Sequence, residues 1–288
     1  MYGYFTEKDL SDSLYTDLAC ERKKADTDIE GVEYKREVSV GGNWERIKIT
    51  SEPGADLIGR PMGIYNTLEV ASMDILDDES IDDAAGEIAN ELAYIFDISD
   101  IFPGRILVAG LGNQALTPDA IGYESAKKVK ATMHIKEFDR TFFNTLNCAE
   151  IAVCTPGTNG MSGMDAARFI RSICNEIKPD AVIAIDALCS RSVKRLGTTV
   201  QICNTGITPG SGLGNARSAI NELTVGVPVV AIGVPTVIDS RMFVCRDEGE
   251  NTDLGSGMMV APKEINEIVD AAARIIGGGI NRAFGIYG

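Results

Sequence analysis

From about residue 105 onward, short unbroken apolar runs alternate with stretches of helical period. Ile106-Leu107-Val108-Ala109, Glu150–Thr155, Ala181–Ile185, Thr198–Cys203 and Val227–Ile232 read as buried strands. Tyr123–Met133, Asp165–Ile177 and Pro262–Ile276 read as helices, the last with Ile265, Ile268, Val269, Ala272 and Ile276 on one face and then Gly277-Gly278-Gly279, which stops it or lets it pack tightly. Strand–helix–strand alternation predicts an α/β fold, a mainly parallel central sheet with flanking helices. Upstream, Ile81, Ala84, Ile88, Leu92 and Ile95 predict a helix over Ser80–Phe96 behind an acidic first turn. Val32–Val40 and Trp44–Thr50, joined at Gly41-Gly42-Asn43, predict a hairpin with one wet face, and Asn66–Val70 a further strand. This gives a small β-rich N-terminal part, about 31–70, added to one α/β domain. Met1–Glu30 is charged and without period, and reads as an exposed arm.

Composition narrows the class. The chain has 288 residues, 44% hydrophobic and 24% charged, enough for a large core. A net charge of −15 disfavours binding to nucleic acid or an anionic membrane. No apolar run reaches the roughly 18 residues of a membrane span, and the polar N-terminus is no signal peptide. Seven cysteines without CxxC spacing argue for a reducing compartment and against a zinc site. With His134 as its one histidine, the chain has no multi-histidine metal site, and no cofactor or metal is expected.

The stretch Arg105–Gly122, RILVAGLGNQALTPDAIG, concentrates the candidate chemistry. A buried strand meets a glycine turn, and Asp119 follows at the C-terminal edge of the sheet, where ligands gather in open α/β folds. Gly110-Leu111-Gly112-Asn113-Gln114-Ala115 fits a GxGxxA nucleotide loop. However, Leu116-Thr117-Pro118-Asp119 separates it from the next helix, and Asp119 would repel a phosphate. A second acid, Asp186, ends the predicted strand Val182-Ile183-Ala184-Ile185. Parallel strands bring both acids to one edge. Either each acid caps the element that follows it, or the two share a proton and act on water and a carbonyl or leaving amine. The glycine-rich loops 156–163 and 206–215 would cover that edge. Ser190, Ser192, Ser211 and Cys189 are nucleophile candidates without a G-x-S-x-G setting. Cys154, Cys174 and Cys203 read as core, and His134 as structural.

These blocks resemble the germination protease of spore-forming bacteria, the spore endopeptidase. The resemblance runs from Tyr15 to about Ala283. It rests on Thr16-Asp17-Leu18-Ala19-Cys20-Glu21, VAGLGNQALTPDAIG at 108–122, Gly160-Met161-Ser162-Gly163, IAIDALCSRS at 183–192, the glycine-rich run 206–215, VPVVAIGVPTVID at 227–239 and APKEINEIVDAAARIIGGGIN at 261–281. It implies an atypical aspartic endopeptidase that degrades small acid-soluble spore proteins during germination. It further implies a homotetramer in the cytoplasm of the forespore or spore core, and a fold similar to hydrogenase maturation peptidases. The family's two aspartates fall on Asp119 and Asp186.

The resemblance also implies a self-processing zymogen. Thr16–Glu21 looks like the family's cleavage motif, an acid, an apolar residue, Ala, a small residue and Glu. Cleavage between Asp17 and Leu18 would release a propeptide, 1–17, from an 18–288 peptidase domain. Gly112, Asn113, Gly210, Ser211 and Gly212 are candidate substrate-binding residues. Longer family members carry an extended insertion where this chain has only Ser240–Gly257, which reads as a poorly ordered loop. Two other classes stay open on the residues alone: a nucleotide- or protein-binding α/β module, and a metal-dependent maturation peptidase that would use His134.

Overall fold

Elements begin and end where the apolar pattern changes and where side chains satisfy free backbone groups. The computed structural model describes residues 16–22, 29–101, 103–211, 217–243 and 258–286. The strands are β1 (Val32–Ser39), β2 (Gly42–Ile49), β3 (Gly63–Glu69), β4 (Arg105–Gly110), β5 (Glu150–Cys154), β6 (Ala181–Ser190), β7 (Thr199–Cys203), β8 (Val229–Asp239) and β9 (Met259–Val260). The helices are α1 (Glu52–Ile58), α2 (Asp78–Ile98), α3 (Ile121–Lys128), α4 (Met133–Phe138), α5 (Arg140–Leu146), α6 (Asn159–Ser162), α7 (Ala166–Ile177), α8 (Glu222–Val225) and α9 (Ile265–Ala283). Asp77 and Asp165 cap α2 and α7 by accepting from the amides of Ser80 and Ala167.

Among the described residues the strands form one sheet in the order β1-β2-β3-β7-β8-β6-β4-β5, with β9 added to β8. β5, β4, β6 and β8 run parallel, as the strand–helix alternation predicts. β1, β2 and β3 are not a separate layer: β3 pairs antiparallel with β7, and β7 with β8, so the hairpin extends the same sheet. One face is covered by α2 and α9, whose Ile88, Leu92, Ile275 and Ile276 pack on Ile106, Ile183, Ile202 and Ile232. On the other face Ala166, Ile170 and Cys174 of α7 pack on Leu107, Val182 and Ala184. No helix among the described residues is long and apolar enough to cross a membrane.

Four expectations need correction, each for a tertiary reason. The helix expected over Tyr123–Met133 breaks after Lys128. Asn281 of α9 accepts from the Lys130 amide and donates to the Lys128 carbonyl, while Thr132 is stitched to Ala149 and Ile151. β6 does not end at Asp186. The long β8 supplies partners as far as Ser190↔Ile238, so Asp186 lies inside the strand. The last helix runs through its glycines to Ala283. A Cβ at Gly277 would lie 2.4 Å from that of Lys128, and one at Gly279 would lie 2.7 Å from that of Ile88, so these positions let α9 seat against α3 and α2. Finally, the arm expected to be exposed is docked where it is described: Thr16, Leu18 and Ala19 are buried. Residues 1–15 and 23–28 of that arm lie outside the described residues, as do 244–257 of the expected loop.

The α9 contact yields a paired test by urea unfolding. Gly279→Val should cost about 1–3 kcal/mol by overpacking Ile88. In contrast, Gly86→Ala, whose Cβ would meet only the Arg282 guanidinium at 3.7 Å, should gain up to about 1 kcal/mol of helix propensity.

Candidate active site

Strand alternation places Asp186 on the face that carries Val182 and Ala184. Asp119 reaches the same place by a turn. After β4, Gly112 adopts φ +91°, and Asn113 donates its amide to the Asp119 carbonyl at 2.9 Å. A Cβ at Gly112 would meet that carbonyl oxygen at 2.1 Å, so glycine is required for the turn to close. Thr236 of β8 fastens the turn from the other side by donating to the Pro118 carbonyl at 2.6 Å. Gly122 lets α3 lie against the strand ends, since a Cβ there would be 2.4 Å from the Ile185 carbonyl.

Asp119 and Asp186 line one cavity of about 210 Å³, together with Asp17, Leu188, Gly210 and Arg217. Burial drives both carboxyls toward their protonated forms. Asp119, half-buried, is raised, with the Arg217 guanidinium and the Asn113 amide opposing. Asp186, 4% exposed, is raised well above the usual range, first by burial and then by the Asp119 charge, with Asp17 adding to it. In this small cavity Asp119 and Asp186 can hold a single proton between them, with one group left to accept a proton and the other to donate one.

The phosphate-cradle alternative loses its donors. The Leu111 amide is spent on the Ile185 carbonyl and the Asn113 amide on Asp119. Burial and the nearby carboxylates of Asp17 and Glu21 push the Cys189 thiol up to about 12, which makes it a poor nucleophile. The hydroxyls of Ser190 and Ser211 are spent on the Glu21 and Asp17 carboxylates of the docked segment. His134 is exposed on α4 and does not line the cavity. No group of three metal-ligating side chains occurs among the described residues.

Among the other expected site residues, Gly112 and Gly210 line the cavity. Asn113 supports the turn and turns its Oδ1 to the Ala115 amide. Gly212 lies outside the described residues. Asp17 and Leu18 are brought to the site. The Asp17 amide donates to the Cys189 carbonyl, and its carboxylate accepts from the Cys189 amide at 2.9 Å and the Ser211 hydroxyl at 2.7 Å. Glu21 accepts from the Ser190 hydroxyl and from the amides of Arg191 and Ser192 at 2.7 and 3.0 Å. Sequence reasoning missed Arg217, Arg60 and Gln201. The first follows a glycine loop and the others sit on unrelated elements, and no local pattern marks any of them.

A family model described as germination protease matches residues 11–247. The chain is 34% identical to the germination protease of Caldanaerobacter subterraneus subsp. tengcongensis, over 94% of each chain. It is 36% identical to that of Priestia megaterium, over 81% of this chain and 66% of the relative. Among solved structures, a NiFe hydrogenase maturation protease from Thermococcus kodakarensis covers 65% of this chain and 98% of its own, with a TM-score of 0.33 and 18% identity.

The raised Asp186 carboxyl has a stability consequence. The native state keeps this proton to higher pH than the unfolded chain does. The group's contribution is therefore full below the unfolded carboxyl pKa and is lost as pH rises toward the native one. Asp186→Asn, neutral throughout, should raise Tm at pH 7, each kcal/mol gained being worth roughly 2–4 °C. The gain should shrink toward pH 4 in parallel thermal melts. An unchanged difference across that range would show that the carboxyl is ionised in the native state.

Proposed function

Since the chain belongs to the germination protease family, we propose that it is an endopeptidase in which Asp119 and Asp186 act as a proton-sharing pair on a peptide carbonyl. The observation that carries this reading is the cavity in which both carboxyls meet Asp17, the acid that precedes the proposed cleavage point. Asp186, the more buried acid, keeps the shared proton and donates it. Asp119, nearer to solvent and opposed by Arg217, takes the proton from water. Arg217 favours the ionised form of Asp119 beside the protonated Asp186.

The same reading makes the chain a self-processing precursor, cut between Asp17 and Leu18 to release 1–17. The docking of Thr16–Arg22 against β6 supports it, because a segment held at the acid pair need not travel to be cut. The family resemblance extends the reading to small acid-soluble spore proteins as substrates, to action in the spore core and to a tetrameric assembly.

Asp119→Asn and Asp186→Asn should each slow trimming by about 10²–10⁴-fold, the usual share of a general acid or base. Mass spectrometry of the purified chain, incubated under acidic, dehydrating conditions, follows the new N-terminus at Leu18. The wild-type rate should fall on both sides of an optimum, as Asp119 gains a proton and as Asp186 loses one. Trimming at the wild-type rate by both variants would remove the pair from the chemistry.

A further inference from the structure

The docked segment, which makes one 3₁₀ turn at Ala19–Glu21, is anchored on both sides of the Asp17–Leu18 bond. Its two acids each meet a set of fixed donors: Asp17 meets Ser211 and the Cys189 amide, and Glu21 meets Ser190 and the amides of Arg191 and Ser192. Arg60 adds a hydrogen bond to the Thr16 carbonyl at 2.7 Å and stands 3.7 Å from the Asp17 carboxylate. These contacts fix the register of the chain between them. Within that register one buried side chain grips the backbone on both sides of the Asp17–Leu18 bond. Gln201 donates Nε2–H to the Asp17 carbonyl at 3.1 Å and accepts from the Ala19 amide at 2.9 Å through Oε1.

The sheet explains how Gln201 comes to share a face with Asp186. Gln201 on β7 and Asp186 on β6 both pair with Gly233 on β8, one from each side. Directly paired residues point to the same face, and neighbouring strands are about 4.8 Å apart, so the two side chains rise roughly 10 Å apart. Gly233 adds no side chain between them. Leu188 fills the floor, and a Cβ on Gly233 would lie 2.5 Å from its Cγ. Asp17 stands where two cavities adjoin, one lined by Gln201 and Arg60 and the other by Asp119 and Asp186. The carbonyl of Asp17 therefore takes an amide donor from Gln201, and Asp17 also lines the cavity of the acid pair.

Resting on the endopeptidase reading above, we propose that Gln201 is a catalytic residue that holds the carbonyl oxygen of the bond being cut. Water adds through its oxygen to the Asp17 carbonyl carbon and gives one proton to the carboxylate of the pair. The C=O electron pair moves onto oxygen, where Gln201 Nε2–H stabilises the charge. The C–N bond then breaks, the oxygen's electrons re-form C=O, and the Leu18 nitrogen takes the proton of the other carboxyl. The pair is left with one proton between two carboxyls, as it began. A preorganised donor of this kind contributes about 10²–10³ in rate. Its second contact, to the Ala19 amide, sets the tilt of the bond.

Gln201→Glu and Gln201→Met in the full chain test the role. Both should trim at Asp17–Leu18 about a hundredfold more slowly than wild type, read as the Leu18 N-terminus by mass spectrometry. The Arg191 and Ser192 amides should stay protected from deuterium exchange, because Glu21 still docks. Gln201→Glu should regain rate as pH falls and its carboxyl becomes a donor, whereas Gln201→Met should not. Trimming within about threefold of wild type in both variants overturns the role. Slow trimming with lost amide protection also overturns it, since Gln201 would then only hold the segment in place. A wild-type chain that never cuts itself, with Asp119→Asn indistinguishable from it, sinks the endopeptidase reading first, and the role falls with it.

Discussion

The carboxyl of Asp186 sits inside a parallel strand, where water reaches almost none of it. A charge there is costly unless it is paired or neutralised, and the surrounding elements are disposed to that constraint. β8 runs past it on one side and β4 ends beside it on the other. The Gly112 turn brings a second acid to the same cavity, and Arg217 brings one opposing charge from the glycine-rich loop. Thr236 and Gly122 hold the turn and α3 close enough to keep the space small. The glycines of the 108–122 run thus bend the chain and let backbones approach, while its Leu111 and Asn113 amides are occupied by protein carbonyls.

The N-terminal segment answers to the same electrostatics from outside. Asp17 and Glu21 would add charge to an already acidic edge, yet both are received by hydroxyls and backbone amides beyond the β6 bulge at Leu188/Cys189. Hydrogen bonds to carboxylates are stronger than neutral ones, so these donors secure seven residues that make no regular element longer than one turn. Leu18 and Ala19 are buried between the two anchors. The result is a short peptide with one 3₁₀ turn, anchored at both ends in a fixed register.

On the far face, the close seating of α9 on α2 and α3 fixes the sheet on which the acids stand. Glycines at 277 and 279 bring helix backbones near enough for Ile88 and Lys128 to fill the gap. A sheet clamped in this way keeps β4 and β6 from sliding, and a shift of one residue between them would turn Asp186 to the opposite face.

Much of this was legible in the residues. Unbroken apolar runs marked the parallel strands, helical period marked α2, α7 and α9, and an acid after each of two strong runs marked Asp119 and Asp186 as a pair. Local pattern carries that much because burial repeats with the geometry of each element. It does not carry the ends of elements, where Asn281 and Thr132 cut a helix short and β8 prolonged β6 past Asp186. It also misread residues 16–22, since a charged stretch without period looks exposed until its donors are seen to lie on β6, more than 160 residues away. Gln201 and Arg217 belong with these: their places arise from register across β6, β8 and β7 and from the side of the acid cavity on which Arg217 comes to lie. The sequence by itself determined which apolar runs would be buried as strands and that Asp119 and Asp186 would follow two of them. Only the tertiary structure decided what faces them, because hydrogen-bond partners distant in the chain leave no periodic trace in it.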